Sequence, residues 1–82
     1  HVERLAKVFE ILELTPRAKK CKAMEGLIEE GSDLMEEEAE PEVKDAALIA
    51  AAQKVEHYEI ATYGTLATWA RQLGHEDAAE LL

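Results

Sequence analysis

One long helical pattern, about Pro41 to Leu73, constrains this chain more than any other feature, because more than a third of the sequence must lie along one rod. Taking about 100° per residue, Ile49, Ala52, Ile60, Tyr63, Ala67 and Ala70 fall within about 40° of one line on that rod. Glu56 lies at the centre of the line, and Glu59 stands about 60° to one side, one turn further on. A carboxylate in an apolar stripe is costly unless it is paired, protonated or bound to a cation. The Glu56–Glu59 wall is therefore the strongest functional signal in the chain.

Composition favours an all-α fold around that rod. The 82 residues include four glycines and two prolines, and good helix formers dominate the rest. A net charge of −9 argues against nucleic acid, since nine cations can neutralise few phosphates, and suits a cation or a basic partner. The single Cys21 excludes an internal disulfide and is compatible with a reducing compartment. No apolar run approaches the length of a membrane span and no signal peptide is visible, so a cytoplasmic protein is expected.

The remaining pattern reads as helices at about 1–13, 16–38 and 75–82 on either side of the 41–73 rod, within a single domain at 1–82. Leu5, Val8, Phe9 and Leu12 form the apolar face of the first. Thr15 and Pro16 offer an N-cap and a first helical residue for the second. Its apolar face runs Cys21, Met24, Leu27, Ile28, Gly31, Leu34 and Met35, which makes Cys21 a core thiol rather than a nucleophile. Glu25 sits at the border of that face. The acidic run at 36–40 reads as a solvated helix end and linker. Gly74 reads as the residue that closes the long helix, and Gly64 as a point of close helix approach. Neither end of the sequence carries a capping residue, so both termini read as cut.

Glu-x-x-Glu occurs three times, at Glu10/Glu13, Glu37/Glu40 and Glu56/Glu59, and only the third lies on an apolar stripe. Carboxylate-bridged metal pairs in helical bundles use such inward glutamates together with Glu-x-x-His pairs. No Glu-x-x-His occurs here. Hard oxygen donors suit iron or manganese. His57 points about 100° away from Glu56, and reads either as a surface histidine or as one that orients a ligand. Tyr63 and Gln53 are the side chains placed to hydrogen-bond the two carboxylates.

The runs Met24–Glu30 and Asp45–Ala61, continuing through Tyr63-Gly64-Thr65-Leu66 and Gln72-Leu73-Gly74, closely resemble the bacterial YciF-type proteins of the ferritin-like superfamily, which are associated with stress responses. The likeness covers essentially all 82 residues. It implies a ferritin-like antiparallel helical bundle of which about three and a half helices are present, incomplete at both ends. The 16–38 helix would be the crossover, which places Glu25 outside the central site. Glu56 and Glu59 resemble a metal-bearing pair of rubrerythrin-like relatives, and His1 falls near the metal-bearing turn of the helix before the crossover. The resemblance thus implies a dinuclear iron or manganese protein handling iron or oxidants. The other reading is a helical assembly module without metal chemistry. Leu5, Phe9, Trp69, Leu81 and Leu82 offer more apolar surface than so few helices can bury, so a homodimer or larger homo-oligomer is expected.

Overall fold

The computed structural model describes all 82 residues. It is all-helical, as expected: α1 is Val2–Ile11, α2 Lys22–Glu36, α3 Pro41–Gln72 and α4 Glu76–Leu81. The chain divides into two compact units, His1–Ala18 with Ile60–Leu82 and Lys19–Glu59, and α3 contributes to both.

In the first unit, α1 presents the expected face. Val8 is buried, and Leu5, Phe9 and Leu12 are half-buried. α4 packs on α1. It can come close because Ala78 and Ala79, only 1% and 3% exposed, carry no side chain beyond Cβ. Leu5, Val8, Phe9, Leu66, Trp69 and Leu73 line an apolar groove of about 490 Å³ in this unit. Of the residues expected to drive association, Leu5, Phe9, Leu81 and Leu82 are half-buried, whereas Trp69 is exposed.

In the second unit, Met24, Leu27, Gly31 and Leu34 are the covered positions of α2, while Ile28 and Met35 are exposed. On α3 the covered face is Leu48, Ala51, Val55 and Tyr58. Leu27, Gly31, Leu48, Ala51 and Val55 line a common shallow groove. An ion pair from Lys54 Nζ to Glu30 Oε2, 3.3 Å, ties the two helices at the rim.

Two boundary expectations need correction. The second helix begins at Lys22 rather than near 16, and residues 14–21 have no regular secondary structure. A start at Pro16 would set Arg17 and Lys19 in the first turn, where the helix dipole disfavours cations. The later start places Glu25 in the first turn, and Cys21 Sγ accepts the Met24 N–H at 3.5 Å. Gly64 is not a point of close approach, since a Cβ built there meets nothing within 4 Å. By contrast, Pro41 opens α3 and Gly74 closes it, at φ 84°, as read from the sequence.

Candidate metal-binding wall on α3

The rod fixes the spacing of the wall: Glu56 and Glu59 are one turn apart on the same side of one uninterrupted helix. What covers the wall depends on packing. Glu56 is exposed and Glu59 half-buried. The stripe around them is divided along its length. Tyr63, Ala67 and Ala70 are half-buried, but Ile49 and Ile60 are 60% and 68% exposed. The face of α3 that α2 covers, through Ala51 and Val55, lies about 100–140° around the helix from Glu56. The expected apolar stripe is real in sequence, yet its N-terminal half is open to solvent in this chain.

The other candidates are dispersed. His57 Nδ1 lies 2.8 Å from the Gln53 carbonyl oxygen, one turn back on its own helix, so its protonated tautomer donates there and the ring leaves the wall. Gln53 itself is exposed, about 60° from Glu56. Glu25 pairs with Lys20 Nζ at 3.2 Å and is spent on the start of α2. His1 meets Tyr63 edge-on, with ring centroids 5.5 Å apart. His1 is thus held beside Tyr63 within the first unit. No group of three or more His, Cys, Asp or Glu side chains converges on a common point.

Cys21 departs from the expectation of a core thiol. It is exposed, and its Sγ lies 3.1 Å from the Tyr58 hydroxyl. That hydroxyl first, and then the Met24 amide, hold the thiol below its ordinary range. Helical periodicity carried the signal for half of this pair: Tyr58 shares the covered face with Ala51 and Val55, so it points toward α2 rather than toward Glu56. The end of α2 that it would meet depends on where that helix starts.

With this geometry, comparison with known proteins is informative. The profile of the family described as a domain of unknown function, DUF892, matches residues 1–82. The chain belongs to the DUF892 family. Protein YciF of Escherichia coli (strain K12) is 60% identical over 82 residues, which is 99% of this chain and 49% of that protein. The crystal structure of the E. coli stress protein YciF superposes with a TM-score of 0.91 at 59% identity, over 98% of this chain and 51% of that one. The all-helical fold is therefore shared with a solved DUF892 relative, and the chain spans about half the length of the relatives it matches.

Proposed function

We propose that this DUF892 chain contributes the Glu56–Glu59 wall to a ferritin-like carboxylate site for an iron or manganese pair, serving a cytoplasmic stress response. The observation that carries this reading is the wall itself: two carboxylates one turn apart on an apolar stripe whose flanking isoleucines are exposed. Such a stripe is what one side of a bundle-core metal site looks like before its facing side is added. The stress role is taken from the E. coli relative, which is described as a stress protein.

The donors present fit one side of such a site and not the whole of it. Metal pairs of this class draw about six protein ligands from four helices. Here Glu56 and Glu59 supply two. When bound, a metal pair of this kind supplies oxidant or iron chemistry. What this chain's own residues do is hold two carboxylates in fixed axial register, with Tyr63 one turn further on.

The test is metal content by elemental mass spectrometry, on the protein expressed from its whole gene, loaded with ferrous iron or manganese without air and then desalted. The Glu56→Gln/Glu59→Gln variant is run beside it. Metal retained by the parent and lost in the variant supports the carboxylate site. No metal in either sinks that reading and leaves the second one, a helical assembly module. That alternative is favoured by the internal partners that His57 and Glu25 already have.

A further inference from the structure

We draw no further inference here: the strongest candidate, the exposed Cys21 thiol one residue before α2 with the Tyr58 hydroxyl of α3 at 3.1 Å, is a lone cysteine, and nothing else in the structure points to a ligand or reactant for it.

Discussion

Cys21 shows how a single residue can be misjudged from helical periodicity. Its spacing to Met24 and Ile28 fits an apolar helical face, but it stands one residue before α2, exposed, with the Tyr58 hydroxyl 3.1 Å away. Hydrogen bonds from that hydroxyl and from the Met24 amide favour the thiolate. Tyr58→Phe should therefore raise the thiol pKa and slow alkylation by iodoacetamide near neutral pH, by a few-fold in order of magnitude. Alkylation rate against pH in both proteins measures this, and an unshifted profile would show that the hydroxyl does not act on the sulfur. The sign for stability follows. A depressed thiol pKa adds stability above the unfolded value, and that contribution is lost as pH falls through the lowered one. Glu56 and Glu59 were legible as a pair because one helix fixes their spacing, whereas their exposure was not, because it depends on what lies opposite.

At the scale of elements, two helix ends use the same device with different residues. After α3, Gly74 at φ 84° lets the His75 N–H reach the Ala70 carbonyl at 2.8 Å and its own N–H reach Arg71 at 3.1 Å. After α1, Glu13 adopts φ 56° and the Leu14 N–H reaches the Phe9 carbonyl at 2.9 Å. Left-handed backbone is costly for any residue with a Cβ, by about 1–2 kcal/mol. Gly74→Ala should then destabilise the chain by about 1 kcal/mol, while Glu13→Gly should leave it unchanged or stabilise it by a similar amount. Urea denaturation followed by circular dichroism compares the two; equal effects of the same sign would refute this account of the caps. The glycine stop was readable because glycine advertises it. The end of α1 near Glu13 was readable from Thr15-Pro16, but the left-handed turn at Glu13 was not, because nothing in Leu12-Glu13-Leu14 marks it. The late start of α2 is a third case, where a run of cations outweighed a favourable Thr-Pro pair.

At the scale of the whole molecule, the buried apolar residues are few and small. Val8, Ala51, Ala78 and Ala79 are the buried hydrophobic positions, and no large side chain is fully enclosed. Such a chain has little apolar burial to set against its conformational entropy. The homo-oligomer expected from the sequence would add to folding stability, and the melting temperature should then rise with protein concentration by a few degrees per tenfold, in order of magnitude. Calorimetry over a hundredfold concentration range checks this. A melting temperature independent of concentration would mean that each chain is stable by itself.

Sequence alone determined the all-helical fold, the position of the long rod between Pro41 and the Leu73-Gly74 stop, and the alignment of Glu56 and Glu59 with an apolar line. Each of these rests on interactions within one helix, where a fixed rotation per residue converts spacing into geometry. The tertiary structure decided which side of that rod is covered. α2 takes the Leu48–Ala51–Val55–Tyr58 face, and the N-terminal half of the Glu56 line is left open. Helical periodicity ranks faces by apolarity, but it contains no term for the partner that covers them. α3 has two such faces, and only packing chooses between them.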